Sequence, residues 1–169
     1  MNFKIISAIC NGRGIGKDGK LPWSIKEDMN FFSKLTTGNN NNAVIMGKNT
    51  WASLKQHLPD RDNLILSTSL ELDEKRDNNI VQSFKSIQEV IAFCSKGNYD
   101  DVWVIGGEEI YKHFINNNLC QQCIITHINN NYECDTFFPV LNSEWKINSI
   151  MPMETQEEFE VQVWNVNKM

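Results

Sequence analysis

The chain has 169 residues, 41% of them hydrophobic, with 16 Lys and Arg against 21 Asp and Glu and a net charge of -5. That length supports one domain with a full apolar core, and the composition excludes disordered and fibrous classes. The acidic balance argues against nucleic acid or an anionic membrane as partner, because the overall field repels polyanions.

No apolar run approaches the length of a membrane span, and the start Met1-Asn2-Phe3-Lys4-Ile5-Ile6 lacks the long apolar stretch of a signal peptide. Five cysteines, an odd number, in a chain able to build its own core favour free thiols and a cytoplasmic location. Asparagine tracts at 39–42, 116–118 and 129–131 mark turns within one domain, residues 1–169.

In chain order, Phe3 to Ile9 reads as a strand. Gly14-Ile15-Gly16-Lys17-Asp18-Gly19 then matches G-x-G-x-x-G. A dinucleotide fingerprint needs its last glycine to open a helix, but Leu21-Pro22-Trp23 follows, so that reading fails. A P-loop fails too, since Lys17 precedes Asp18 and not Ser or Thr. Cys10 to Lys20 reads as a glycine-rich loop, either a connector or a lid, with its length and glycine content favouring the lid.

Ser24-Ile25-Lys26-Glu27 has capping-box form and predicts the start of a helix over Ile25 to Leu35. Asp28, Phe31, Phe32 and Leu35 share one face of it. Two readings of Asp28 stand. It compensates the helix dipole in the first turn, or it binds an amidine-like edge or donates a proton from apolar surroundings.

Ala43 to Gly47 predicts a strand and Thr50 to Leu54 a short helix, with Lys48 at the junction. Free N–H groups and Lys48 there suit phosphate, although a lone lysine is commonly only solvated. Arg61, between Asp60 and Asp62, is either a surface ion pair or a clamp on a carboxylate. Asn63 to Ser67 and Asp101 to Ile105 predict further strands, and Ser86 to Ser95 and Glu108 to Asn116 further helices. Gly106-Gly107 joins the last of these strands to the last helix, either as a tight turn or as a phosphate cradle.

Gln122 to His127 predicts another strand; two cysteines three apart on a strand, as Cys120 and Cys123 would be, point to opposite faces, and no second C-x-x-C or suitably spaced His pair completes a zinc site. They read as structural, and no metal is expected. His57, His113 and His127 accompany no nucleophile motif. Trp145 to Met151 and Phe159 to Val166 predict a closing antiparallel pair. The βαβα order predicts an α/β sheet that is mostly parallel.

Singly these segments are weak, but their order is specific. Gly14-Ile15-Gly16, Leu21-Pro22-Trp23, Asp28, Met46 to Trp51, Arg61, Ile105-Gly106-Gly107, Tyr111 and Asp135-Thr136-Phe137-Phe138-Pro139 together resemble the dihydrofolate reductase family over essentially the whole chain. The resemblance implies a mixed, mostly parallel eight-stranded sheet flanked by helices, with a C-terminal antiparallel hairpin and a cis Gly106-Gly107 bond. It implies hydride transfer from NADPH to C6 of 7,8-dihydrofolate with protonation of N5, giving tetrahydrofolate. Dihydrofolate and antifolate inhibitors become the expected ligands, and a monomer the expected state.

Roles follow on matching positions. Asp28, Trp23 and Leu21 would be catalytic, with Asp28 and Thr126 on the pterin edge. Ile6, Ala8, Met29, Phe32, Leu54, Leu58, Ile105 and Tyr111 would line the substrate pocket, and Arg61 would clamp the glutamate carboxylate. For the cofactor, the matching positions are Ala8, Ile15, Gly16, Gly47, Lys48, Asn49, Thr50, Leu66, Ser67 and Thr68, then Gly106, Gly107, Glu108, Glu109, Ile110 and Tyr111. Three departures stand out. Asn49 and Thr68 occupy places where relatives often carry a second basic residue. Asp60 replaces a common glycine and, with Asp62, would weaken Arg61's potential. The 39–42 asparagine tract reads as a lengthened surface loop. Two alternatives keep the fold: a reductase of flavin synthesis, and a binding module without turnover.

Overall fold

An uninterrupted apolar run forms a stable strand only where both of its faces are covered. The computed structural model, which describes residues 3–153 and 158–166, meets that condition at the centre of its main sheet. The strands are β1 (Phe3–Ile9), β2 (Gly14–Gly16), β3 (Ala43–Gly47), β4 (Asp62–Leu66), β5 (Asp73–Arg76), β6 (Asn79–Phe84), β7 (Val102–Val104), β8 (Cys120–Ile128), β9 (Thr136–Phe137), β10 (Trp145–Met153) and β11 (Phe159–Val166). The helices are α1 (Lys26–Thr37), α2 (Lys48–Ser53), α3 (Ile87–Lys96) and α4 (Glu108–Asn116).

The main sheet runs β10-β11-β8-β1-β7-β3-β4-β6-β5, and β2 pairs separately with β9. Pairings from β8 through β6 are parallel, and those at the two ends are antiparallel. The expected α/β class and closing hairpin are therefore present. Every residue of β3 is buried. Alternate residues of the central strands feed two apolar layers. Ile5, Ile45, Leu64 and Val104 join the layer closed by α3 and α4. Ile6, Val44, Met46, Ile65 and Trp103 join the other layer, which receives Phe31, Phe32 and Leu35 from α1 and Trp51 from α2. No described helix is long and apolar enough to cross a membrane.

Four sequence expectations need correction. The sheet has nine strands and not eight; β5 and β6 are absent from the strands predicted above, and the β5 residues Asp73, Glu74, Lys75 and Arg76 form a charged edge that resists pairing with another chain. The two-residue turn Asp77-Asn78, with φ of 52° and 70°, folds it back on β6.

The box at Ser24 does not cap α1: the capping position is Ile25, and no side chain bonds there. An S-x-x-E arrangement does form at α3, where Ser86 Oγ accepts from Glu89 N and Glu89 Oε2 accepts from Lys85 N at 3.0 Å.

Cys120 and Cys123 share a face after all. Phe3 pairs with Cys120 and Lys4 with Gln122, so Gln121 is an extra residue that reverses the alternation. Both sulfurs enter the α3/α4 layer.

Asn42 is not part of a surface loop. It is buried, its amide donates to Thr36 O at 3.0 Å, and its Oδ1 accepts from Asp101 N at 3.0 Å. It thus ties the end of α1 to the start of β7.

Candidate active site

Ligands of open α/β sheets bind beyond the carboxyl ends of the parallel strands, where loops diverge. Here the carboxyl ends of β1, β3 and β7 lead into the 10–20 loop, Lys48 and Gly106-Gly107. Ile6 and Ala8 on β1 and Ile105 just beyond β7 belong to the apolar layer beneath α1, with Trp23, Phe32, Leu54 and Leu58. Leu21 and Met29, 56% and 57% exposed, lie outside that layer.

Asp28 sits half-buried in the first turn of α1. Burial pushes its carboxyl above the usual carboxylate range, while a hydrogen bond from Thr126 opposes the shift. Thr126 is buried on β8, in register with Ala8 of β1 and Val161 of β11. The Trp23 ring packs on Tyr132 at 5.4 Å, and its buried indole N–H has no partner among the described residues. A buried donor without a partner suits a polar ligand atom.

Arg61 is 3% exposed, so it is no surface ion pair. Its Nε donates to Pro59 O and its Nη1 to Thr36 Oγ1, both at 2.8 Å; Thr36 Oγ1 in turn donates to Phe32 O at 2.8 Å. Burial lowers its pKa and Asp60 partly restores it. Asp62 faces elsewhere, accepting from Tyr99 Oη at 2.6 Å and from Ile80 N at 2.8 Å. Only Asp60 of the two flanking acids therefore acts on the guanidinium. Asp60 holds φ at 63°, the left-handed conformation for which glycine is favoured.

Thr36 follows Asp28 by eight residues on α1, about 12 Å along the helix axis. One helix thus carries an acid at one end and anchors a buried guanidinium near the other, with Phe32 between them. This geometry suits a long ligand with an amidine-like end and a carboxylate end.

A second set of residues surrounds the junctions after β3 and β7. Gly106-Gly107 is cis, and Gly47 N donates to Gly106 O at 2.9 Å. A Cβ on Gly47 would meet Ile110 at 3.1 Å, and one on Gly106 would meet Tyr111 Oη at 3.2 Å. Tyr111 is buried and donates to Ile6 O at 2.8 Å, so it braces β1 from the opposite layer. Gly47 and Gly107 are the N-cap residues of α2 and α4, and neither helix has a side-chain capping bond. Their free N–H groups suit phosphate oxygens. Lys48 Nζ donates to Ser69 Oγ at 3.0 Å, and Ser67 Oγ lies 3.3 Å from Ser69 Oγ. Lys48 is therefore one corner of a polar cluster.

Asn49, Thr68 and Glu109 are exposed, Thr50, Leu66 and Glu108 half-buried. Glu108 Oε1 accepts from Phe137 N at 2.8 Å, which ties α4 to β9. Ile15 packs into the α3/α4 layer, and Gly16 O accepts from Asp135 N at 2.9 Å. Sequence reasoning missed Thr36, Ser69 and Tyr132. Helical spacing from Asp28 could have suggested Thr36; nothing local signalled the other two.

A family model described as dihydrofolate reductase matches residues 2–168. The Drosophila melanogaster dihydrofolate reductase is 32% identical over 169 residues, covering 94% of this chain and 92% of the relative. The Candida albicans dihydrofolate reductase is 38% identical over 152 residues, covering 83% and 77%. The bifunctional dihydrofolate reductase-thymidylate synthase of Daucus carota is 40% identical over 152 residues, which span 83% of this chain but 28% of that protein.

Proposed function

We propose, from the premise that this chain belongs to the dihydrofolate reductase family, that it uses NADPH to reduce 7,8-dihydrofolate to tetrahydrofolate. The observation that carries the reading is α1 itself, with half-buried Asp28 on Thr126 at one end and buried Arg61 held by Thr36 near the other. Dihydrofolate has the matching ends, an amidine-like pterin edge and a glutamate carboxylate.

In this reading Asp28 accepts the pterin 2-amino and N3 hydrogens, and Thr126 holds the carboxylate in line. Asp28 also supports protonation of N5, through water; the burial that raises its carboxyl and its pairing with the pterin edge act in opposite directions. Trp23 directs its unpaired indole N–H into the same space. Ile6, Phe32, Leu54, Leu58 and Ile105 exclude water from the pteridine and aminobenzoyl rings. Leu21 and Met29 cover the entrance from their exposed positions.

Bound NADPH supplies the hydride, which goes to C6. Gly47, Gly106 and Gly107 let the dinucleotide approach the backbone, and the N-termini of α2 and α4 face its phosphates. Lys48, with Ser67 and Ser69, supplies the 2′-phosphate contact. Asn49 and Thr68 add no charge there, so discrimination against NADH rests on Lys48. The reading also carries a monomer of one domain, residues 1–169, that binds antifolates and works in the cytoplasm. The five free cysteines suit a reducing compartment.

The test is a steady-state absorbance assay with dihydrofolate, run side by side with NADPH and NADH. Loss of signal with NADPH, and a much weaker response with NADH, is expected. Folded protein without turnover overturns the reading.

A further inference from the structure

Cys10 and Cys134 are 124 positions apart in sequence, yet their sulfurs stand 3.8 Å apart. Cys10, just beyond β1, is 1% exposed; Cys134, two residues before β9, is half-buried and reachable from solvent. Gly14 passes beside both sulfurs. A Cβ there would stand 2.4 Å from Cys134 Sγ and 3.0 Å from Cys10 Sγ, so any side chain would wedge the sulfurs apart.

The pair lies on the seam between the glycine-rich loop and the β8–β9 connection. That seam is otherwise held by reversible contacts: Asp135 N to Gly16 O at 2.9 Å, Asp18 N to Asp135 Oδ2 at 3.0 Å, Phe138 N to Arg13 O at 2.8 Å, and Lys17 with Glu133 at 3.3 Å. Neither cysteine takes part in the proposed reduction.

We propose that Cys10 and Cys134 form a thiol–disulfide site that reacts with small disulfides and, once linked, locks the Gly14–Gly16 loop onto β9. The Cys134 thiolate attacks one sulfur of a small disulfide, breaks its S–S bond and expels one thiolate, which takes up a proton. Cys10, having lost its proton, attacks the Cys134 sulfur of this mixed disulfide and expels the second thiolate. Two protein thiols are oxidised and one small disulfide is reduced to two thiols. Closure needs the sulfurs to move from 3.8 Å to about 2.05 Å, within the reach of side-chain rotation. Burial and the Cys10 contact hold the Cys134 thiol above its usual pKa, so the first step is slow. Cys120 and Cys123 are both buried in the other layer and give a small disulfide no entry.

The link itself does not depend on the proposed reductase activity; only its effect on turnover does. The experiment incubates the purified full chain with excess oxidised glutathione, then applies intact-mass measurement, proteolysis without reductant, and the turnover assay. The expected product has lost two hydrogens, retains no glutathione and yields one peptide pair joined through Cys10 and Cys134. Its turnover falls several-fold and returns with dithiothreitol. Cys134→Ser and Cys10→Ser keep the parent turnover and resist inactivation, and Cys10→Ser stops at a glutathione adduct on Cys134. Amide exchange at 14–19 should slow in the linked form, a readout that holds even if the reductase reading fails. Absence of the Cys10–Cys134 link, or a link through Cys120 and Cys123 instead, overturns the proposal. A link that leaves both turnover and exchange unchanged overturns the locking.

Discussion

Thr36→Val isolates the anchoring of Arg61. Valine matches threonine in shape, so the fully buried site gains no cavity and the helix is little affected. Two hydrogen bonds are lost. The one from Arg61 Nη1 involves a charged donor in a buried place, which is worth about 1.5–3 kcal/mol. The other, from Thr36 Oγ1 to Phe32 O, is neutral and worth about 0.5–1.5 kcal/mol. The sum is about 2–4.5 kcal/mol, or roughly 4–18 °C in Tm for a chain of this size. The same change frees the guanidinium from one of its two anchors, leaving Pro59 O. KM for dihydrofolate should therefore rise several-fold, while KM for NADPH and for dihydropteroate, which lacks the glutamate, stays at the parent value. Thermal unfolding and steady-state kinetics read both effects. In an Arg61→Leu background, Thr36→Val should cost less by about the charged-bond term. A Tm within about 1 °C of the parent with unchanged kinetics refutes the anchoring role.

Lys48→Ala should raise KM for NADPH roughly tenfold or more, the loss of one charged hydrogen bond, with little effect on NADH; equal KM values in parent and variant would remove Lys48 from the cofactor site. Asp28→Asn should lower turnover strongly. It should also change the pH dependence of stability: a carboxyl raised by burial stabilises the fold while protonated, below the unfolded carboxylate pKa, and that contribution is lost as pH rises through the folded pKa. The variant should therefore gain on the parent as pH rises through that window, and denaturant titrations that keep a constant gap would contradict it. Gly106→Ala places a Cβ at φ 123° and 3.2 Å from Tyr111 Oη, so a loss of about 1–3 kcal/mol is expected by thermal melting.

Elements with strong periodicity were legible. α4 has its expected bounds, and Asp28 and Phe32, four positions apart on α1, are both half-buried. β5 was not legible, because Asp73 to Arg76 carries no apolar residue and gains its pairing from β6 alone. The helix start at Ile25 was misread because Ser24 fits the capping pattern but makes no capping bond. The shared face of Cys120 and Cys123 depends on the unpaired Gln121, a register shift that only the partner strand reveals. The acids flanking Arg61 in sequence left a surface ion pair and a carboxylate clamp both open; Asp62 is instead committed to Tyr99, 37 positions away. Local pattern thus found most of the elements, whereas the anchoring of Arg61 by Thr36 and the contact of Lys48 with Ser69 arise between residues distant in sequence.

A net charge of -5 opposes both proposed ligands, each of which is anionic. Local cations must overcome it, and the structure divides them into two kinds. Lys48 is exposed, so its attraction to phosphate is screened by salt over about 8–10 Å. Arg61 is buried and held by neutral oxygens, so its attraction to a carboxylate is screened far less. The two ligands should therefore separate on an ionic-strength series. Cofactor affinity weakens with added salt, while the contact of the glutamate tail with Arg61 persists, because the same burial that lowers the arginine's pKa also removes water and ions from around its charge.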